Sequence, residues 1–309
     1  MKVLFIDKIH PYLQEKLEEN NFICHQEYNK NKKEIMKIIS QYEGVIIRSR
    51  IEIDKKFLSH AKNLKFIARA GSGLENIDIA HANYKKILCI NAGEGNKQAV
   101  AEHAIGMILS LLNKINTSHT EVRNGQWNRE KNRGIELSGK TVAIIGYGNN
   151  GSAFAENLKG FGVNILCYDK YLESYPNQST MQKIYTDADI VSLHIPLTEE
   201  TRYLVNRSFI EKFKKNIYLI NTSRGKCVHT KDLIMKIKEN KVSGACLDVL
   251  EYEKSSFEKL SASKDNQDLR FLLNSENVIL SPHIAGWTHE SHLKISEFLA
   301  KKILSKFKK

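Results

Sequence analysis

Between Lys140 and Asp169 the chain runs apolar strand, glycine loop, helix and second apolar strand, an order that very few folds accommodate. Lys140-Thr141-Val142-Ala143-Ile144-Ile145 reads as a strand buried on both faces, and Gly146-Tyr147-Gly148-Asn149-Asn150-Gly151 as a tight turn. Ser152 to Lys159 reads as a helix, and Val163 to Tyr168 as the next strand, ending on Asp169. G-x-G-x-x-G in this setting suits a dinucleotide pyrophosphate. The first glycine allows the turn, the second lets phosphate approach the backbone, and the third lets helix and strand pack closely. The helix N-terminus then faces the negative charge. Asp169 is spaced to accept hydrogen bonds from the adenosine ribose, and would repel a 2′-phosphate by about 1–4 kcal/mol at contact. The pattern predicts NAD rather than NADP.

The same alternation of strand and helix fills the rest of the chain. Before the glycine loop, Val3–Ile6, Gly44–Ile47, Phe66–Ala68 and Ile87–Ile90 read as strands. Pro11–Glu19, Lys32–Ile39, Asp54–Ser59 and Ile77–Ala82 read as the helices between them. A long apolar helix follows from Gln98 to Leu112, then a polar segment to Ser138. The second block has strands at about 141–145, 163–168, 189–193, 217–220, 243–247 and 277–280. The expected class is α/β, with two doubly wound parallel-sheet domains. A Rossmann-like cofactor domain, 96–286, would be inserted into a flavodoxin-like substrate domain made of 1–95 and 287–309. Residues 254–273 form a long connection, expected to be a partly helical excursion anchored by Phe257, Leu260, Leu269 and Phe271.

Composition removes several alternatives. At 41% apolar and 27% charged residues, 309 in all, the chain is typical of a globular protein. Its longest apolar stretch, near Ala104–Leu112, is too short for a bilayer, and Met1 to Asp7 reads as a first strand rather than a signal peptide. Five cysteines without C-x-x-C spacing fit a reducing cytoplasm. The net charge of +12 is spread along the chain, with ten arginines among 47 basic residues and no nucleic-acid-binding spacing. No nucleic-acid or membrane partner is expected, only a modest attraction for acidic metabolites.

Chemistry in an open α/β sheet belongs beyond the carboxyl ends of its strands. Three such ends are polar: Asn221-Thr222-Ser223-Arg224-Gly225, Asp248-Val249-Leu250-Glu251-Tyr252-Glu253 and Ser281-Pro282-His283-Ile284-Ala285-Gly286. Parallel strands lie about 4.8 Å apart, so these loops can converge on one ligand. An arginine, a carboxylate and a histidine suit oxidation of an alcohol beside a carboxylate. The guanidinium grips the acid, the imidazole takes the hydroxyl proton, and the protein carboxylate favours the imidazolium.

With these motifs the chain resembles the D-2-hydroxyacid dehydrogenases. Ile47-Arg48-Ser49-Arg50, Ala68-Arg69-Ala70-Gly71-Ser72-Gly73-Leu74-Glu75-Asn76-Ile77-Asp78, Val100-Ala101-Glu102, Gly125-Gln126-Trp127 and Ser192-Leu193-His194-Ile195-Pro196-Leu197 also fit that family, in order and over nearly the whole chain. The resemblance is strongest to the branch acting on 3-phospho-D-glycerate, in a form without its regulatory domain, so feedback by serine is not expected. It implies catalytic Arg224, Glu253 and His283, with Glu251 a bystander. It implies NAD contacts at Gly146, Gly148, Asn149, Asn150, Gly151, Asp169, Pro196, Thr222, Ser223, Asp248 and Gly286. It further implies substrate contacts at Arg48, Ser72, Gly73 and Arg129, the last reaching into the partner's site in a homodimer formed through 98–130. Departures are Gly93 after Asn91-Ala92, Asn150 in the glycine loop, Lys254 after Glu253 and the long connection to His283.

Other readings remain beside these. A glyoxylate, hydroxypyruvate or D-lactate-type reductase would keep the same catalytic trio. An NAD-sensing corepressor would keep only the fold. His289 and His292, three apart, read as a solvated helix face rather than a metal site. Glu102 reads as a structural acceptor for loop backbone, and Trp127 as a core or dimer anchor. Arg48 and Arg69 are equally readable as phosphate ligands or as ion-pair partners.

Overall fold

The computed structural model describes residues 1–253, 260 and 266–308. These form two compact units, one of residues 1–97 and 287–308, the other of 98–253, 260 and 266–286.

The first unit is a five-stranded parallel sheet. Its strands are β1 (Lys2–Phe5), β2 (Ile23–Gln26), β3 (Gly44–Ile47), β4 (Phe66–Arg69) and β5 (Leu88–Ile90), in the order β2-β1-β3-β4-β5. That is the flavodoxin-like order. Helices α1 (Tyr12–Glu18), α2 (Lys32–Ile38), α3 (Lys55–His60) and α4 (Ile79–Tyr84) cross between strands. The two-residue period of β1 sends Val3 and Phe5 into a cluster with Leu13, Leu17 and Phe66. Leu4 and Ile6 join Ile35, Phe57 and Ile67 on the opposite face. Both faces are dry, which is why β1 reads as an unbroken apolar run.

The second unit opens with α5 (Lys97–Leu112) and α6 (Ile115–Arg123). Its strands are β6 (Thr141–Ile145), β7 (Asn164–Tyr168), β8 (Ile190–Leu193), β9 (Ile217–Asn221), β10 (Val242–Leu247) and β11 (Val278–Leu280). They pair in the order β11-β10-β9-β8-β6-β7, and all neighbours run parallel. A lone parallel bridge from Cys167 to Gln178 extends the sheet beyond β7, the vestige of a third strand in the first Rossmann half. Helices α7 (Asn149–Leu158), α8 (Met181–Asp187), α9 (Arg207–Glu211), α10 (Thr230–Lys238) and α11 (Gln267–Asn274) complete this unit. The last helix, α12 (His289–Phe307), belongs to the first unit, where Ile295, Leu299, Ala300 and Ile303 are buried with Val3 and Phe5.

Several sequence expectations need correction. β2 was not anticipated, because Ile23-Cys24-His25-Gln26 is a half-exposed edge strand with polar residues. The polar segment after Leu112 contains α6, whose Asn-Thr-Ser-His-Thr core has weak intrinsic helix propensity. Within the long connection, Leu269 and Leu272 are buried on α11, whereas Leu260 is 41% exposed and is no anchor. Phe271 packs part-buried against the core. Lys254 and Phe257 lie outside the described residues. No helix among the described residues is long and apolar enough to cross a membrane.

Candidate active site

The register of the second sheet brings its polar strand ends level. Leu247 of β10 pairs with Asn221 of β9 on one side and Leu280 of β11 on the other, so the three loops leave the sheet side by side. Gly225 lets two of them touch. A Cβ there would lie 2.0 Å from the Leu250 carbonyl carbon, so only glycine allows the loop bearing Arg224 to lie against the loop bearing Glu253.

The Arg224 loop is shaped by Asn221. The Asn221 Oδ1 accepts from the Ser223 N–H at 3.1 Å and from its hydroxyl at 2.8 Å, while Asn221 Nδ2 donates to the Arg224 carbonyl at 3.0 Å. The Arg224 Nη1 donates to the Ser223 carbonyl at 2.7 Å. Across the sheet, His283 Nδ1 meets Glu253 Oε2 at 2.7 Å, with the two side chains 24% and 14% exposed. A carboxylate only accepts, so the neutral ring carries its proton on Nδ1 and presents the Nε2 lone pair as a base. The Leu250 N–H donates to Glu253 Oε1 at 2.6 Å, fixing the acid that orients the ring.

His283 itself sits in the left-handed region at φ 58°, and its loop is held by Asp248. That carboxylate is 1% exposed. Its Oδ1 accepts from the Ser281 hydroxyl at 2.6 Å and the Ile284 N–H at 2.8 Å, and its Oδ2 from the Ala285 N–H at 2.9 Å. The His283 N–H donates to the Asp248 carbonyl at 2.7 Å. Behind Ser281, His103 of α5 places Nε2 2.8 Å from the hydroxyl and 3.6 Å from Asp248 Oδ1. The chain His103–Ser281–Asp248 went unnoticed in the sequence, although His103 and Met107 share a helix face and Met107 Sδ also lies 3.7 Å from the Ser281 hydroxyl. Glu251 is a structural acceptor for the Thr230 N–H at 2.8 Å.

The glycine loop has the shape a pyrophosphate needs. Gly146 stands at φ 94°, and a Cβ there would meet the His194 carbonyl at 2.5 Å. A Cβ on Gly151 would meet the Gly146 carbonyl at 1.9 Å, whereas one on Gly148 would meet nothing within 4 Å. The first and third glycines are thus demanded by the protein, and the second borders open space. Gly148 caps the ten-residue α7 without a side-chain bond, leaving the positive end of that helix to a ligand. The helix begins at Asn149, earlier than its sequence suggests. Asp169 closes the loop, accepting from the Tyr147 N–H at 2.8 Å on Oδ2 and from those of Tyr171 and Leu172 at 2.9 and 3.2 Å on Oδ1. Desolvation pushes His194 down to about 3, so its ring stays neutral, with Nε2 2.8 Å from the Ser192 hydroxyl. Asn150 Oδ1 and Thr222 Oγ1 are buried without a protein partner. Such atoms in a dinucleotide fold fit a bound cofactor. Pro196 is exposed, and its carbonyl accepts from the Thr201 hydroxyl at 2.7 Å. Gly286 is half-buried at the end of the His283 loop.

The remaining sequence candidates divide between the units. In the first, the Ser72 hydroxyl donates to Asn96 Oδ1 at 2.7 Å, and Gly73 follows it half-buried. The Arg48 N–H donates to Asp7 Oδ2, and its guanidinium carbon lies 3.4 Å from the Trp287 ring centroid. Arg69 Nε donates to the Arg48 carbonyl at 3.2 Å. In the second, Arg129 is exposed, and Trp127, 78% exposed, is no core anchor of this chain. Glu102 accepts from the Gln98 side chain at 2.7 Å rather than from loop backbone. His292 is no solvated helix residue, since its Nε2 is buried. Among the described residues no group of three His, Cys, Asp or Glu could hold a metal ion.

The chain is similar to known proteins along most of its length. A family model, the NAD-binding domain of D-isomer specific 2-hydroxyacid dehydrogenases, matches residues 105–285. A D-3-phosphoglycerate dehydrogenase of Archaeoglobus fulgidus is 33% identical over 99% of this chain and 57% of its own length. The chain spans about half the length of the curated phosphoglycerate dehydrogenases it matches. A hydroxypyruvate reductase of Thermotoga maritima is 34% identical over 88% of this chain and 87% of its own. Among solved structures, D-lactate dehydrogenase from Aquifex aeolicus, complexed with NAD and lactic acid, superposes with a TM-score of 0.82 at 28% identity, covering 99% and 96% of the two chains. A third of the residues shared along nearly the whole chain, on a sheet whose glycine loop is already shaped for a pyrophosphate, means that the protein belongs to the D-isomer specific 2-hydroxyacid dehydrogenases and takes NAD as its cofactor.

Proposed function

We propose that the protein interconverts a D-2-hydroxy acid and its 2-oxo acid, and that the acid is 3-phospho-D-glycerate. The observation that carries the reaction is the 2.7 Å pair of His283 and Glu253 on a loop clamped by buried Asp248. The similarity to phosphoglycerate dehydrogenases over 99% of the chain supports the substrate.

In this reading the N–H groups from Gly146 to Gly151 hold the NAD pyrophosphate and Asp169 bonds the ribose through the lone pair that Tyr147 leaves on Oδ2. Thr222, Ser223, Pro196, Gly286 and the Oδ2 edge of Asp248 line the nicotinamide end, where Thr222 Oγ1 gains the partner it lacks. When bound, NAD supplies the two-electron acceptor for the substrate's C2–H. Arg224 grips the substrate carboxylate through charge-assisted bonds worth about 1.5–3 kcal/mol each, aided by backbone N–H groups at Ser72 and Gly73. His283 Nε2 removes the C2 hydroxyl proton, and Glu253 stabilises the resulting imidazolium across Nδ1. Arg48 takes the phosphate, and Arg129 reaches the partner's site in a homodimer. Ile115 and Val122, each 51% exposed, and Trp127 give that dimer an apolar surface to cover.

The test is oxidation of NADH by purified protein with 3-phosphohydroxypyruvate, hydroxypyruvate, glyoxylate and pyruvate side by side. A kcat/KM at least tenfold higher for the phosphorylated acid is expected. Preference for an unphosphorylated acid overturns the substrate and leaves a general reductase, the reading favoured by the hydroxypyruvate reductase that matches nearly end to end. Absence of turnover with every acid overturns the reaction itself.

A further inference from the structure

The order of the second sheet puts β6 between β7 and β8, with Ile145 level with Tyr168 on one side and Leu193 on the other. The glycine loop therefore leaves the sheet between two others, one starting at Asp169 and one at His194. These two flanking loops are tied together by Glu200. Its Oε1 accepts from Lys170 Nζ at 2.8 Å, and its Oε2 from the Tyr171 hydroxyl at 2.6 Å. Each end of the tie is set by its own turn. Asp169 Oδ1 accepts from the Tyr171 and Leu172 N–H groups, which locks residues 169–172 into a tight turn. Opposite, the Thr198 N–H donates to Thr201 Oγ1 at 2.7 Å, and that hydroxyl donates to the Pro196 carbonyl at 2.7 Å. Lys170, then Tyr171, hold Glu200 below the ordinary carboxylate value, so it stays ionised at neutral pH.

Stability does not account for this tie. Lys170 and Glu200 are 57% and 54% exposed, and ion pairs in that setting contribute little to folding. Position accounts for it better. Lys170 directly follows the carboxylate that bonds the ribose, and a lysine there works against it. An ammonium on a flexible four-carbon stem binds phosphate as a point charge. Beside the ribose it would attract the 2′-phosphate that Asp169 repels. Glu200 draws Lys170 to the opposite loop and adds a second negative charge at the same end of the cofactor. The Tyr171 hydroxyl engages the other oxygen, which fixes the direction of the pair.

We propose that Glu200 is a positioning residue for cofactor selection, which withholds Lys170 from a 2′-phosphate and completes the preference for NAD that Asp169 begins. This rests on the reading that places the ribose on Asp169. Selection is then a property of two loops on either side of the glycine loop: one carboxylate opposes the phosphate directly, and the other disarms the neighbouring cation.

The experiment measures Kd for NAD⁺ and NADP⁺ by calorimetric titration, without substrate. The proteins are the wild type, Asp169→Ala, Glu200→Gln, Lys170→Ala and the double variant Glu200→Gln/Lys170→Ala. Glu200→Gln should lower the Kd for NADP⁺ relative to that for NAD⁺ by about three- to fivefold, the scale of an exposed pair. Adding Lys170→Ala should cancel that gain. Lys170→Ala alone should change the ratio by less than about twofold, because the wild-type lysine is already withheld. High salt should shrink the Glu200→Gln effect. A merely structural role would weaken both cofactors alike. The proposal is overturned if Glu200→Gln leaves the ratio unchanged, if its gain survives without Lys170, or if Lys170→Ala alone weakens NADP⁺ severalfold. Equal binding of the two cofactors by the wild type overturns it too. Asp169→Ala separates the two readings. A ratio that shifts there but not in Glu200→Gln removes the role of Glu200 and keeps the ribose on Asp169. A ratio unchanged in Asp169→Ala removes the ribose placement and the proposal with it.

Discussion

Asp7 and Asp248 make the same local move in two different sheets, and they are neutralised in different ways. Each follows a largely buried strand, and each reaches sideways to grip the backbone of a neighbouring loop. Asp7 holds the loop of Arg48 and is paired with the Arg50 side chain at 3.0 Å. Asp248 holds the loop of His283 with two N–H groups and a hydroxyl, and the ring of His103 lies 3.6 Å from it. A loop that presents an arginine is thus built on an ion pair. The loop that presents a base is built on neutral dipoles, which place no permanent cation beside a histidine that must gain and lose a proton. Parallel sheets of one architecture serve binding and chemistry according to how the clamp at the strand end is compensated.

Removing the presented group, rather than its clamp, gives the largest effect. His283→Ala should lower turnover by about 10²–10⁴-fold while NAD binding, followed by fluorescence titration, stays as in the wild type. A variant with full rate would remove the base from the scheme. Next come the clamps. Asp248→Ala leaves two N–H groups and a hydroxyl without their acceptor, so a loss of about 2–4 kcal/mol in urea unfolding is expected, together with a fall in turnover. Asp7→Ala should cost about 2–3 kcal/mol, less than breaking a fully buried pair because the Arg50 side chain is 33% exposed. Its kinetic effect should fall on KM rather than kcat. Equal kcat losses in both aspartate variants would erase the distinction between the two loops.

Smaller effects sharpen it. Asp169→Ala removes the acceptor that closes the glycine loop and the charge that opposes a 2′-phosphate, so the NAD:NADP ratio of kcat/KM should fall about tenfold or more. An unchanged ratio would assign Asp169 to loop closure alone. His103→Ala leaves Ser281 still donating to Asp248, and a loss of about 1 kcal/mol, or fivefold in kcat, is the expected limit. A hundredfold loss would mean that the imidazole is itself part of the clamp's charge balance.

The sequence exposed whatever depends on local periodicity and strand ends. Buried parallel strands are mostly apolar, so β1, β3, β6 and β8 stand out, as do Asp7, Arg48 and His194 just beyond β1, β3 and β8. β2 did not, because an edge strand has one dry face at most and its His25 and Gln26 imitate a loop. The Gln178 bridge is too short to leave a pattern. At the site, Glu253 and His283 could be paired by motif, but the length of the intervening chain hid their distance. Asp248 was read as a ligand contact, and its carboxylate also accepts from two backbone N–H groups and the Ser281 hydroxyl. His292 looked like a solvated helix residue because nothing along the chain reveals that Arg48, Trp287 and His10 gather around it.

The grip of Asp248 on Ile284 and Ala285 passes through main-chain N–H groups and ignores the side chains beyond them. Position 284 is 40% exposed, so evolution can redraw it to suit a new neighbour while the imidazole beside it stays in place. Proline is the exception, since it has no N–H to give. A saturation library at 284 should therefore read as a plateau of active variants broken at a single amino acid, with the tolerance of the position set by what the backbone donates.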